Sequence, residues 1–336
     1  MEKADIIVLG LGPAGASAAA EAARRGCRVI ALDRRREPGL PVQCAEFVPA
    51  LLEVDPGAIR QRIGAMQTYV EDDAPELKAD FPGRMLDRAA FDASLVQAAQ
   101  RAGAEVRFSS FIRKVAAQGT VELSSGQCLH APVIIGADGP RSRAGKAIGC
   151  VNTELVETRQ ITVGLVQPHL ATDIFLSADI PGGYGWLFPK GKVANLGAGV
   201  SPQYKARLKS IVARLHASQK ERLSSQVLAV TGGAIPVGGM LKPWGLLENV
   251  LVLLAGDAAG LANPVTGAGI AAAVHSGRLA GRAAAARAAE DYEQELDDLY
   301  HAALERALRR RRDLLAGKPG KSALRRSWIA YPEYWQ

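Results

Sequence analysis

Apolar positions along this 336-residue chain fall into two patterns. The first is a set of short, nearly unbroken runs, Asp5 to Leu9, Arg28 to Leu32, Ala131 to Ile135 and Val250 to Ala255. Runs of that length, rich in Ile, Val and Leu, predict strands buried on both faces of a parallel sheet. Helical periodicities lie between and after them. One runs to Arg25 and stops at Gly26; another starts at Asp87, a predicted N-cap, with Phe91, Leu95 and Ala99 along one side; a third, alanine-rich, extends from about Gly269 to Ala289. The second pattern occupies Glu157 to Val200, where longer alternating stretches, Gln160 to Val166 and Val193 to Val200, predict a mixed or antiparallel sheet. Val115 to Leu129 predicts a hairpin turning at Ser124-Ser125-Gly126, Tyr204 to Leu223 a helix with a basic side, and Asp291 to Leu315 a charged amphipathic helix. Gly232 to Gly239 reads as a loop or edge strand, and Leu51 to Lys78 is too weakly patterned to assign. The predicted class is α/β, with a parallel-sheet lobe, an inserted β-sheet lobe and C-terminal helices.

Three glycine-rich turns follow the apolar runs. Gly10-Leu11-Gly12-Pro13-Ala14-Gly15 opens the first helix. Gly10 permits a tight turn, Gly12 lets backbone approach a pyrophosphate, Gly15 lets helix and strand pack closely, and the helix start holds the phosphate charge. Asp33, at the end of the next strand, is placed to accept hydrogen bonds from ribose hydroxyls. This motif alone does not separate FAD from NAD. Arg34, Arg35 and Arg36 are read as solvated or pyrophosphate-facing, since Asp33 would repel a 2′-phosphate. Asp138 and Gly139 lie in the second turn, Gly136 to Arg143. The third, Gly256 to Ile270, puts Asp257 on a turn and then a helix start. Such a start presents free N–H groups to a developing anion. A plain small-residue βα turn is the alternative reading of that stretch.

Composition narrows the class without naming a chemistry. At 48% hydrophobic and a mean hydropathy near zero, the chain is globular. The opening Met1-Glu2-Lys3-Ala4-Asp5 lacks the zones of a secretory signal, and the Val250 run is too short for a bilayer, so a cytoplasmic location is expected. Cys27, Cys44, Cys128 and Cys150 form no C-x-x-C pair, which argues against a zinc or iron–sulfur site and a disulfide framework; no metal is expected. The net charge of +7 concentrates late, at Arg306, Arg309 to Arg312, Lys318, Lys321, Arg325 and Arg326. Without a module of stacking aromatics it does not point to nucleic acid. A solvated helix face with a loose tail is one reading; peripheral contact with anionic membrane, aided by Trp328, Tyr331, Tyr334 and Trp335, is another.

In order and spacing, the three turns resemble the FAD-binding motifs of the p-hydroxybenzoate hydroxylase superfamily. Pro181, Tyr184, Trp186, Phe188 and Pro189 resemble the P-x-x-Y-x-W-x-F-P signature of its geranylgeranyl reductase family. Cys44-Ala45-Glu46 is similar to that family's C-G-E loop, with alanine for glycine, and Arg88, Phe91 and Asp92 to its R-x-x-F-D helix start. The loop from Gly232 to Gly239 is also similar.

The resemblance implies a Rossmann-like FAD-binding domain over residues 1–75, 85–155 and 245–290. It implies a substrate domain over 76–84 and 156–244, with 291–336 a C-terminal helix and tail. Gly10, Gly12, Pro13, Ala14, Gly15, Asp33 and Arg34 would bind the ADP half of FAD, and Arg88 the middle of the cofactor. Asp138, Gly139, Gly256 and Asp257 would hold its pyrophosphate and ribityl region. Pro264, Gly267, Ala268, Gly269 and Ile270 would face the flavin ring, near Cys44 and Ala45. Cys44, Tyr184, Trp186 and Phe188 would line the substrate space. The chain is shorter than its relatives after Ala289, which predicts less room than a C20 lipid needs.

Reduced flavin delivers hydride to a C=C bond, and the other carbon needs a proton. Cys44, Glu46 and Tyr184 are the candidates, with Trp186 beside them. The expected activity is FAD-dependent reduction of an apolar isoprenoid-like or quinone-like molecule, with NAD(P)H or ferredoxin as transient electron donor. A flavin monooxygenase or halogenase is the alternative, from the looser likeness of Gly183 to Pro189 to a G-W-x-W-x-I-P stretch. An electron-transfer dehydrogenase ranks below it, because no cysteine follows Cys150 to hold a cluster; a non-catalytic lipid- or flavin-responsive protein ranks last. Oligomeric state is not legible.

Overall fold

Four consecutive apolar residues, Ile6–Leu9, are wholly buried because parallel neighbours flank them on both sides. The computed structural model describes residues 1–315 and 319–336; Lys318 of the basic run and Gly317 of the break before the tail lie outside them. Ile6–Leu9 is an inner strand of a six-stranded sheet ordered Trp244–Leu247, Val250–Leu254, Val133–Gly136, Ile6–Leu9, Val29–Leu32, Glu105–Arg107. Five of these run parallel, and Trp244–Leu247 closes one edge antiparallel. All four expected parallel strands are present. Their C-terminal ends carry the three glycine turns to one crevice, the usual ligand position in such sheets.

The helix Pro13–Arg24 packs on the alanine-rich helix Ile270–Ala286, and small residues make the approach possible. A Cβ on Gly277 would stand 2.1 Å from the carbonyl oxygen of Ala14, and one on Gly281 2.4 Å from that of Ala18. The alanine pattern therefore records helix–helix contact as much as helix propensity.

A second, eight-stranded sheet is mixed. Leu223–Thr231, Leu155–Leu165, Val193–Val200, Gly185–Lys190 and Ala171–Leu176 are antiparallel neighbours in that order, and Ala65–Val70 then joins parallel to Ala171–Leu176. Glu76–Lys78 finishes that edge, while Ala234–Pro236 pairs with Leu155–Glu157. Ala65–Val70, which precedes the expected 76–84 segment, thus also belongs to this sheet. The unassigned stretch also supplies Ile59–Ile63, which pairs with Gly83–Leu86, the central strand of a three-stranded sheet whose other edge is Phe47–Pro49.

Several local expectations shift. The predicted hairpin is present, Thr120–Leu123 returning as Cys128–His130 through Ser124-Ser125-Gly126, and Ile112–Ala116 and Glu2–Lys3 extend it to four strands. The helix expected over 204–223 is confined to Leu208–Ser218, since Leu223 already starts a strand. The charged helix spans Ala289–Leu315.

The loose tail is the largest correction. Lys321–Arg326 and Pro332–Trp335 are short helices, and Leu324, Trp328, Tyr331 and Tyr334 are buried. Leu324, Trp328 and Tyr331 share a core with Met66, Ile174, Trp186 and Phe188. Of the tail aromatics named as membrane anchors, Trp335 alone is exposed, so the others serve packing.

Candidate active site

The crevice is built by close contact between turns. Gly10 has φ +91°, and a Cβ on it would stand 2.3 Å from the Ala137 carbonyl oxygen, which joins the first two turns. Gly12 is different: nothing lies within 4 Å of a Cβ built there. It is the N-cap of the helix Pro13–Arg24 with no side-chain cap, so the first N–H groups face open space. Pro13 fits the first turn because it has no N–H to leave unpaired, and Ala14 is buried at the helix contact. Asp33 is buried, its Oδ2 accepting from Leu11 N at 2.7 Å and its Oδ1 from Arg35 N at 2.8 Å. Arg34 is exposed.

The second turn uses its acid internally. Asp138 accepts from Ser142 Oγ and, at 2.6 Å, from Arg143 N. Asp138 thereby shapes the turn in which Gly139, at φ +85°, reverses the chain. Burial pushes its carboxyl up, and those hydrogen bonds oppose the shift.

In the third turn Gly256 has φ +60° and donates to Ser276 Oγ at 2.9 Å. The Asp257 carbonyl accepts from Asn152 Nδ2 at 2.9 Å, its carboxylate accepts no hydrogen bond among the described residues, and a Cβ on Gly269 would stand 3.2 Å from its Oδ1. Burial pushes its carboxyl up to about 6, partly opposed by Arg88. Asn263 organises the loop beyond: its Oδ1 accepts from Val265 N and Thr266 N, both at 3.0 Å, and its carbonyl from Gly267 N at 2.9 Å. Pro264, Gly267 and Ala268 are thus held by an asparagine that the sequence reading passed over; the Asn-Pro pair is its signal. Gly269 caps the helix Ile270–Ala286 without a side-chain bond, leaving that N-terminus free as well.

Arg88 and Asp92 form a two-pronged pair, Nε to Oδ1 at 3.0 Å and a terminal nitrogen to Oδ2 at 3.1 Å. Cys44 neighbours both Arg88 and Tyr184 and influences each electrostatically. Its Sγ accepts from Glu46 N at 3.1 Å, and its carbonyl from Gln160 Nε2 at 3.1 Å. Glu46 is buried at φ +69°. Its carboxylate accepts from Arg88 N at 3.1 Å and Asn195 Nδ2 at 2.8 Å and pairs with Lys190. Asn195 also reaches the Ala45 carbonyl. Strand residues Gln160, Lys190 and Asn195 therefore fix the Cys44–Glu46 turn from the second lobe; as isolated polar residues in strands they carried no sequence signal.

The aromatic block faces this turn. Tyr184 donates to the Thr266 carbonyl at 2.6 Å, and Trp186 Nε1 to Gln160 Oε1 at 2.9 Å. Tyr184 packs on Trp186 and Trp328 with ring centroids 5.7 and 4.8 Å apart, and Phe188 follows Trp186. Burial pushes the Tyr184 hydroxyl up, and nearby Cys44 adds to the shift. Tyr184 and Trp186 share with Val156, Val265 and Gly267 a narrow cavity of about 30 Å³. Arg311 also reaches it; burial pushes its pKa down, opposed by Glu154. The solvated-face reading of the arginine run fails here and at Arg310, which donates to the Glu333 and Tyr334 carbonyls.

The crevice fits FAD: open space beside the uncapped helix at Gly12 suits the pyrophosphate, Asp33 the ribose, and the unpartnered Asp257 a ribityl hydroxyl. The uncapped start of the helix Ile270–Ala286 suits the flavin ring's negative edge.

Comparison with known proteins agrees. A family model described as the geranylgeranyl reductase catalytic domain matches residues 156–235. The digeranylgeranylglycerophospholipid reductase 2 of Methanosphaera stadtmanae is 34% identical over 312 residues, spanning 85% of this chain and 78% of that protein. The crystal structure of a geranylgeranyl bacteriochlorophyll reductase-like protein from Thermoplasma acidophilum superposes with a TM-score of 0.85 at 25% identity, covering 96% of this chain and 90% of the other. A probable FAD-dependent monooxygenase from Pseudomonas aeruginosa has a TM-score of 0.71 at 17% identity, covering 96% and 98%, and shares the fold alone. The monooxygenase and halogenase alternative thus rests on architecture, whereas sequence and cradle together make this chain a member of the geranylgeranyl reductase family of FAD-dependent oxidoreductases.

Proposed function

We propose that this chain saturates carbon–carbon double bonds of an isoprenoid lipid, with Cys44 as proton donor. FAD, when bound, supplies the hydride. The carrying observation is the fate of the candidate acids. Glu46 commits both carboxyl oxygens, one to Lys190 and Asn195 and the other to the Arg88 backbone N–H. Tyr184 commits its hydrogen to Thr266. Cys44 Sγ accepts from Glu46 N, has the Arg88 guanidinium beside it, and commits its own proton to no partner among the described residues. Tyr184, Trp186 and Phe188 orient an apolar chain and exclude water, and relatives named for digeranylgeranyl lipids support that substrate class, C20 chains included, against the expectation drawn from the shortness after Ala289.

Anaerobically reduced holoenzyme should saturate digeranylgeranylglyceryl phosphate, read by mass as two hydrogens gained per double bond. Cys44→Ala should accept electrons normally and form product at least about a hundredfold more slowly. Unchanged product formation in that variant removes Cys44 from the role; no product from the wild type removes the activity. NADH, NADPH and reduced ferredoxin are the proposed donors, and anaerobic bleaching of the flavin by each chooses between them.

In the same reading the lipid is drawn from a membrane surface met by exposed Arg309, Arg312 and Trp335. Among the described residues no helix is long and apolar enough to cross a membrane. Flotation with anionic liposomes should fall in a triple alanine variant of these residues, and equal flotation removes the contact.

A further inference from the structure

Arg309 to Arg312 look interchangeable in sequence, but the helix turns one of them inward. Arg309 and Arg312 are exposed, whereas Arg311 is 5% exposed and continues the buried stripe Leu304, Ala307, Leu308. One terminal N–H donates to the Gly182 carbonyl at 2.9 Å. Its Nε is buried without a partner, and no carboxylate among the described residues lies within ion-pairing distance of the guanidinium. Glu154, the acid that influences it, is exposed.

An arginine does not shed its proton in a protein, and a charge removed from water without a counter-charge is costly. A single neutral bond to Gly182 does not offset that cost. The side chain lines the cavity walled by Tyr184, Trp186 and Thr266, so a counter-charge delivered into the cavity would complete it. Planar guanidinium suits phosphate oxygens in particular.

We infer that Arg311 is a specificity-determining residue that receives a phosphate oxygen of the substrate. The cavity then takes an amphipathic molecule, with its anionic head at the helix Ala289–Leu315 and its isoprenoid chain against the aromatic block. This rests on the reductase reading and adds the polar end of the substrate. The phosphate belongs either to a prenyl diphosphate or to a glycerophospholipid head.

Binding of geranylgeranyl diphosphate, digeranylgeranylglyceryl phosphate and geranylgeraniol to holoenzyme, read by perturbation of the flavin spectrum, tests the inference. The better anionic ligand should bind at least about tenfold more tightly than geranylgeraniol, and its identity names the source of the phosphate. Arg311→Met should erase the preference and leave geranylgeraniol binding unchanged, while Arg311→Lys keeps part of it. Equal wild-type binding of all three, or a uniform loss in Arg311→Met, overturns the inference. Should the methionine variant lose FAD, the wild-type preference and the lysine variant decide. The two readings fail separately: a phosphate preference without saturated product defeats the reductase chemistry, and saturated product without a preference defeats the role of Arg311.

Discussion

Gly15 lies so close to Gly10 that a Cβ on it would stand 1.8 Å from the Gly10 carbonyl oxygen. Gly12, between them, would meet nothing within 4 Å. One glycine therefore serves the fold and the other leaves room for a ligand. Gly12→Ala should fold with a stability within about 1 kcal/mol of the FAD-free wild type while losing at least about tenfold in FAD affinity. Gly15→Ala should be destabilised by several times that amount. Urea titration and flavin release check the pair, and similar stability losses in both variants contradict the assignment.

Glu46 is a buried structural anion in this arrangement. Glu46→Gln leaves Lys190 without its counter-charge and should cost roughly 3 kcal/mol, whereas adding Lys190→Met should recover part of the loss. Chemical denaturation of the single and double variants measures the coupling; additive losses would show that the two do not act as a pair.

The Asp257 carboxyl is pushed up to about 6 by burial, against an ordinary value of about 4. Without FAD, the folded chain keeps a proton through this window that the unfolded chain has already released. Stability from this group is therefore fully present below about pH 4 and is lost as pH rises toward about 6. Asp257→Asn lacks the effect, so the FAD-free variant should gain on the wild type as pH rises through that interval. With FAD present the asparagine should bind the cofactor more weakly. Thermal scans across the interval decide, and parallel pH profiles would rule the effect out.

Trp328 closes one side of the aromatic wall, and its indole nitrogen is buried without a hydrogen-bond partner. Trp328→Ala should cost about 4 kcal/mol through the cavity left beside Tyr184. Trp328→Phe should cost under about 1.5 kcal/mol, because it removes an unsatisfied polar group while filling much of the space. Calorimetry separates these outcomes; equal losses would mean that the indole nitrogen has an ordered partner.

The cofactor lobe was legible because its signals are local. Apolar runs such as Ile6–Leu9 and glycine turns such as Gly10 to Gly15 state their structure within a few residues. Ile59–Ile63 and Ala65–Val70 were not legible, since their partners, Gly83–Leu86 and Ala171–Leu176, are distant and half their positions are polar. Arg311 was hidden by its neighbours, although helical phase from Leu304 through Ala307 and Leu308 points straight to it. The tail misled because buried aromatics beside Lys321 and Arg325 have the composition of a membrane anchor. Those cations instead pair with Asp72, Asp73 and Glu76.

The contact between Trp328 and Tyr184 also sets an order of assembly. Tyr184 is made well before Trp328, so during synthesis its ring lacks this neighbour until the chain has been extended past residue 328.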